Sequence, residues 1–242
     1  MSSETRRIAM WSGPRNLSTA MMYAFGNRAD TCVVDEPFYA SYLVAHGQQH
    51  PMRDAVLASQ SSDPVAVIDD LSGPVDRPVF YQKHMTQHMI GSVPRDWLEH
   101  VTNVFLIRHP ARVVASFAEK LENPTLADIG FVQQVEIFDQ VLALGQIPVV
   151  IDSVDIRADP ERMLRLLCAA INIPWDPAML RWPAGGHASD GVWAAHWYGA
   201  VHRSTGFAGP EGALPELSGK SAALCRAALP FYERLKAGRL TF

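Results

Sequence analysis

The stretch Ile8-Ala9-Met10-Trp11-Ser12-Gly13-Pro14-Arg15-Asn16-Leu17-Ser18-Thr19-Ala20 decides the fold class. Ile8 to Trp11 is a short apolar run, the pattern of a strand buried on both faces. Ser12-Gly13-Pro14 breaks it, and Ser18 to Arg28 follows with Met21, Met22 and Phe25 at helical spacing. Working outward, the same alternation recurs. Thr31 to Val34 is a second candidate strand and ends at Asp35-Glu36-Pro37; Val79 to Gln82 is a third, Asn103 to Ile107 a fourth and Pro148 to Ile151 a fifth. Pro110 fits the start of a helix running to about Lys120, because a first-turn proline loses no intrahelical bond. A longer helix is expected over about Leu126 to Leu144, another from Asp159 as cap with Pro160 at the first position, and a last one over Gly219 to Ala237. Strands alternating with helices predict a single α/β domain, residues 1–242, with a central parallel sheet of about five strands, helices on both faces and a mainly helical C-terminal cap. Residues 183–219 read as a long loop or lid, rich in Gly and Pro, with Trp193, Trp197 and Tyr198 clustered.

The quoted turn has the makings of an anion site. Backbone N–H groups at a helix start lack intrahelical partners, and the helix dipole favours negative charge there. Ser18 and Thr19 add hydroxyls, and Arg15 adds a charge able to bind a phosphate through two nitrogens. The loop is not a Walker A sequence, since Asn16-Leu17 stand where Gly-Lys is required. Alternatively, Ser18 caps the helix and Arg15 is a surface residue. A second signal is Val104-Phe-Leu-Ile-Arg108-His-Pro-Ala-Arg-Val-Val-Ala-Ser116, which puts Arg108 at the C-terminal end of a strand, the edge where open parallel sheets bind ligands.

Arg108, Pro110 and Ser116 resemble the 3′-phosphate-binding motif of sulfotransferases, and Pro14 to Thr19 resembles that family's 5′-phosphosulfate loop. Ile151-Asp-Ser-Val-Asp155, Asp159-Pro160-Glu161 and Pro174 to Leu180 are similar to bacterial members, so the likeness covers roughly residues 7–35, 79–120 and 147–182. The resemblance implies 3′-phosphoadenosine-5′-phosphosulfate (PAPS) as donor, a small-molecule hydroxyl or amine as acceptor, and Arg15, Asn16, Leu17, Ser18, Thr19, Arg108 and Ser116 as donor-binding residues. Cytosolic sulfotransferases carry Lys-x-His at the third strand end, with His as base; here His84 follows Lys83 directly, and strand neighbours point to opposite faces. Protein-tyrosine sulfotransferases pair a loop Arg with a Glu base and a third-strand Lys, which Arg15, Glu36 and Lys83 match. Chemistry of this kind needs one base and several cations on the leaving oxygen. Glu36 is favoured over His84 by its spacing from the loop, and both stay open here. The family's C-terminal Arg-Lys-Gly-like run is missing; Arg203 or Lys220 is a candidate for its charge. Trp193, Trp197, Tyr198 and Phe207 would line an acceptor pocket, stack on adenine, or pack the lid.

Composition narrows the alternatives. Lys plus Arg is 21 and Asp plus Glu 25 in 242 residues, a net charge of −4, which argues against a general nucleic-acid binder but not against a small anion. Cys32, Cys168 and Cys225 are widely spaced, so neither a disulfide framework nor a Cys-rich zinc site is expected. His84 and His88 are four apart but lack a third ligand in register, and no metal is expected. No apolar run approaches the ~20 residues of a membrane span, and Met1 to Arg7 is polar with no signal-peptide pattern after it, so a soluble cytoplasmic protein is expected. Two rivals remain: a nucleotide kinase or other phosphotransferase, and a non-catalytic nucleotide-binding protein of the same fold. The oligomeric state is left open.

Overall fold

The computed structural model describes residues 5–47, 50–118 and 123–242. The chain runs β1 (Arg6–Ser12), α1 (Ser18–Gly26), β2 (Thr31–Asp35), α2 (Tyr39–His46), α3 (Arg53–Ser59), α4 (Pro64–Ser72), β3 (Val79–Met85), β4 (Thr102–Ile107), α5 (Pro110–Ala118), α6 (Phe131–Ala143), β5 (Val149–Asp152), α7 (Ser153–Ala158), α8 (Pro160–Ala170), α9 (Ala194–Trp197), α10 (Gly199–His202) and α11 (Gly219–Lys236). Among the described residues the five strands form one sheet in the order β2-β3-β1-β4-β5, and every pairing is parallel. The chain first winds toward β2 and then to β4 and β5, so the order reverses at β1. A crevice therefore opens above the C-terminal ends of β1 and its neighbours.

Alternation along the strands sorts side chains between two cores. Ile8 and Met10 of β1 pack with α1, α2 and α8, whereas Ala9 and Trp11 pack with α5, α6 and α11 on the opposite face. In β3, Val79 and Tyr81 belong to the first core and Phe80 to the second. This parity later separates Lys83 from His84.

Several boundaries differ from the expectation. The helix expected from Leu126 begins at Phe131, because Gly130 sits at φ 71° and residues before it form a turn in which Asp128 accepts from the Thr125 N–H and hydroxyl. Helix α5 is described to Ala118, and the expected extension to Lys120 lies outside the described residues. Strand β3 runs on to Met85, so Lys83 and His84 lie within it rather than at its end. Residues 183–219 are less of a loop than expected, since they contain α9 and α10. As anticipated, Pro110 opens α5, and Asp159 caps α8 by accepting from the Arg162 N–H. Among the described residues, no helix is long and apolar enough to cross a membrane.

Candidate active site

The turn between β1 and α1 is held open by backbone geometry. Arg15 (φ 63°) and Leu17 (φ 73°) are left-handed while their neighbours are not, an alternation that turns successive N–H groups toward one point. Left-handed backbone costs a residue with a side chain about 1–2 kcal/mol. The surroundings compensate. A Cβ on Gly13 would stand 2.6 Å from the Ile129 carbonyl oxygen, so only glycine lets the turn pack there. Asn16 donates through Nδ2 to the Leu106 carbonyl at 3.3 Å, and Gln134 donates to both the Trp11 and Leu106 carbonyls at 3.1 and 3.0 Å. The loop is thus tied to the two strand ends flanking the crevice.

Leu17 occupies the cap position of α1 without a side-chain cap bond, and the first turn carries no acidic residue. Ser18 is therefore the first helical residue rather than its cap, which removes that alternative. The helix start is left with N–H donors and a positive dipole end facing the crevice. The two phosphate signals meet here: Arg15 Nε donates to Ser116 Oγ at 2.8 Å, and Arg108 Nη1 donates to the Arg15 carbonyl at 2.8 Å.

A buried cluster stands opposite. Lys83 shares the parity of Val79 and Tyr81, Asp35 that of Val33, and both side chains are 1% exposed. Glu36 follows β2 directly, yet its carboxylate lies on the same side because its backbone turns left-handed at φ 44°. Lys83 Nζ donates to Asp35 Oδ1 (2.8 Å), Glu36 Oε1 (2.5 Å) and the Tyr198 hydroxyl (2.6 Å). That hydroxyl also accepts from Trp193 Nε1 at 3.0 Å, and its own proton faces the Asp35 carboxylate at 2.8 and 2.9 Å. Burial alone would lower the Lys83 ammonium, but the two carboxylates outweigh it and hold it above its usual value. Burial pushes Asp35 up, Lys83 pulls it back and Glu36 pushes it up again, leaving it at about 6. One lysine does not neutralise two adjacent carboxylates.

His84 does not join this cluster. It shares the parity of Phe80 and Gln82, stacks on Trp11 at 4.4 Å between ring centroids, and also packs against Phe38 and Trp97. Burial, then the neighbouring His88 and Lys83, lower its pKa to about 3. The placement corrects the reading of His84 as a base: one step along a strand turns the side chain to the other face.

A cavity of about 750 Å³ joins these parts, lined by the turn from Pro14 to Ala20, by Glu36, Lys83 and Tyr198, and by Arg108 and Ser116. Arg15, Asn16, Leu17, Ser18, Thr19, Arg108 and Ser116 all line it. Asn16 Oδ1 and Arg108 Nε are buried there without a hydrogen-bond partner among the described residues. Tyr39, Tyr42, His88 and Trp197 make part of the remaining wall aromatic, beside polar residues such as Gln87, Asp128 and Ser204. Trp197 and Phe207 thus line the cavity, whereas Trp193 is core and holds Tyr198. Arg203 lines the cavity as well; Lys220 instead donates to Asn123 at the surface.

Sequence reasoning missed four participants. Asp35 was read only as a strand end, and the turn at Glu36 that unites the two carboxylates has no signature in composition. His88, 4% exposed, stacks on Tyr39 at 4.6 Å and lines the cavity. Its pKa is held well below the usual value by burial and by Lys83, so it presents a neutral imidazole. Arg112 and Arg157 stand beside Arg108, and all three meet the Glu211 carboxylate.

Comparison with known proteins bears on the family and the fold. A family model described as a sulfotransferase domain matches residues 6–239. Two curated relatives are from Arabidopsis thaliana. Branched-chain-amino-acid aminotransferase-like protein 1 is 40% identical over 210 residues, which is 86% of this chain and 38% of that protein. Branched-chain-amino-acid aminotransferase-like protein 2 is 36% identical over 205 residues, 84% of this chain and 36% of that protein. The chain therefore spans less than two-fifths of the length of these relatives. Among solved structures, the sulfotransferase domain of the Synechococcus PCC 7002 olefin synthase superposes with a TM-score of 0.52 at 17% identity, covering 93% of this chain and 95% of that one. A sulfotransferase from Alicyclobacillus acidocaldarius gives 0.56 at 12% identity, covering 98% and 97%. At such identities the likeness is one of fold. The family match begins with β1 and ends beyond α11, enclosing every residue of the cavity wall, and the chain belongs to the sulfotransferase domain family.

Proposed function

We propose that the chain moves the sulfuryl group of PAPS to a hydroxyl or amine of a small-molecule acceptor. The observation that carries this reading is the convergence of Arg15, Lys83 and Arg108 with Glu36 on one cavity at the C-terminal edge of the sheet. The residues suit the donor: a helix start without a side-chain cap, a left-handed turn, and a buried Arg108 Nε with no hydrogen-bond partner among the described residues all offer N–H donors to anionic oxygens. When bound, the donor supplies a sulfuryl group whose bond to the bridging phosphate oxygen breaks as the acceptor atom bonds to sulfur.

Each residue then has a task. The N–H groups of the turn and helix α1 hold the 5′ end, and Arg108 holds the ribose end. Glu36 takes the acceptor proton on its carboxylate. Arg15 and Lys83 carry the negative charge that builds on the departing bridging oxygen. Tyr198 and Asp35 fix Lys83 in place, and His88 with Tyr39 and Trp197 forms the acceptor wall. The curated relatives carry aminotransferase-like names over a length much greater than the matched part, so those names assign no transamination to this chain.

Transfer of labelled sulfate from PAPS to a panel of hydroxyl and amine acceptors tests the proposal. Labelled product that disappears in Glu36→Gln is expected. A wild-type protein that binds no 3′-phosphoadenosine-5′-phosphate would overturn it.

A further inference from the structure

The arginine expected to grip a donor phosphate already holds a carboxylate. Glu211 Oε1 lies 2.5 Å from Arg108 Nη2 and 3.2 Å from Arg157 Nη1, and Oε2 lies 2.7 Å from Arg112 Nε. The Glu211 side chain is 1% exposed, and the arginines come from three places: the end of β4, α5 and α7. The same arginines hold the backbone around it. Arg157 Nε donates to the Gly209 carbonyl at 2.8 Å, and Arg112 donates to the carbonyls of Gly212 and Ala213. Among the described residues, Ala208 to Leu217 makes no backbone-to-backbone hydrogen bond. This strap is held by side-chain clamps rather than by secondary structure.

Resting on the donor reading above, we propose that Glu211 is a donor-specificity residue: an internal carboxylate seated on Arg108, displaced only by a nucleotide whose ribose carries a phosphate. Three guanidiniums around one carboxylate leave two positive charges in excess. A phosphate monoester brings more charge and a third oxygen to the same arginines, so it competes on better terms than a carboxylate. A nucleotide without that phosphate has nothing to offer Arg112 and Arg157 and leaves Glu211 where it is. The strap suits exchange, because Gly209 and Gly212 flank Pro210-Glu211 and nothing lies within 4 Å of a Cβ at either glycine.

Calorimetry with 3′-phosphoadenosine-5′-phosphate and with adenosine 5′-monophosphate, on wild type and Glu211→Gln, tests this. Removing the competing charge is expected to tighten the 3′-phosphorylated nucleotide about tenfold, the scale of one charge-assisted hydrogen bond, and to move the other less than about twofold. Equal shifts for both nucleotides, no shift, or weaker binding of the phosphorylated one would overturn the proposal. Because losing the carboxylate can unsettle the strap, a second measurement uses the wild type. A Glu-specific protease should cut after Glu211 faster when the 3′-phosphorylated nucleotide is added and not when the monophosphate is, relative to the exposed Glu216. Unchanged or slower cleavage after Glu211 counts against it. Failure of the 3′-phosphorylated nucleotide to bind wild type and variant alike defeats the donor reading and this inference together. Binding to wild type without a response at Glu211 defeats the inference alone.

Discussion

At Lys83, burial and two carboxylates pull in opposite directions, and the carboxylates prevail. The ammonium is a fixed cation in a buried site, where on the proposed mechanism it would act on developing charge more strongly than in solvent. Lys83→Met is therefore expected to lower kcat by about 10²–10³-fold, as loss of a charge-stabilising donor does, and steady-state kinetics checks it. Glu36→Gln should lower kcat at least about 100-fold with nucleotide affinity nearly kept, whereas His84→Phe, on the far face, should stay within a few-fold of wild type. Asp35 gives a pH prediction. Burial pushes its carboxyl up to about 6 in the fold against about 3.9 for a free aspartate, so the folded state binds more protons between these values. Stability from this group is thus present at low pH and lost as pH rises through about 6. The stability of Asp35→Asn relative to wild type should rise by on the order of 1–2 kcal/mol between about pH 4.5 and pH 7, read by urea unfolding. At this scale the sequence was partly legible. Arg15, Glu36, Lys83 and Arg108 announce themselves by type and place, but the φ of Glu36 and the parity of His84 depend on where β2 and β3 end. Glu211 carried no signal, because a Gly-Pro-Glu-Gly run has no periodicity to say what its carboxylate meets.

At the scale of elements, all five strands were legible because each is a short apolar run bounded by Gly, Pro or charged residues. The helix starts with Pro110 and Asp159-Pro160 were legible from cap chemistry. The start of α6 was not, since the left-handed Gly130 stops the helix in a region whose apolar residues continue the pattern. Gly13, packed against the Ile129 carbonyl just before Gly130, has the sharper consequence. The Cβ of Gly13→Ala would press on the Ile129 carbonyl from 2.6 Å, and the backbone there has little room to yield. The substitution is expected to destabilise the fold by about 1–3 kcal/mol, measured by denaturant unfolding, and to weaken nucleotide binding with it, because the phosphate turn must shift.

For the whole molecule, the sheet order β2-β3-β1-β4-β5 brings residues from distant segments to one edge, and the C-terminal third closes over them. Tyr198 reaches Lys83 across 115 positions of sequence, and Arg108 meets Glu211 across 103. A chain with a net charge of −4 thus brings Arg15, Lys83, Arg108 and Arg203 to one crevice. The ligand should stabilise the whole fold by mass action: at about 100 times its Kd, 3′-phosphoadenosine-5′-phosphate should add about 2.7 kcal/mol and raise Tm by roughly 5–10 °C. The central claim is that Arg108 and the β1–α1 turn make one site for a 3′-phosphorylated nucleotide. Calorimetric titration of wild type and Arg108→Ala with 3′-phosphoadenosine-5′-phosphate tests it most directly. Single-site binding by wild type, weakened about 10- to 100-fold in Arg108→Ala, is the expected result. Equal affinity in the two proteins, or no binding to wild type, would contradict it.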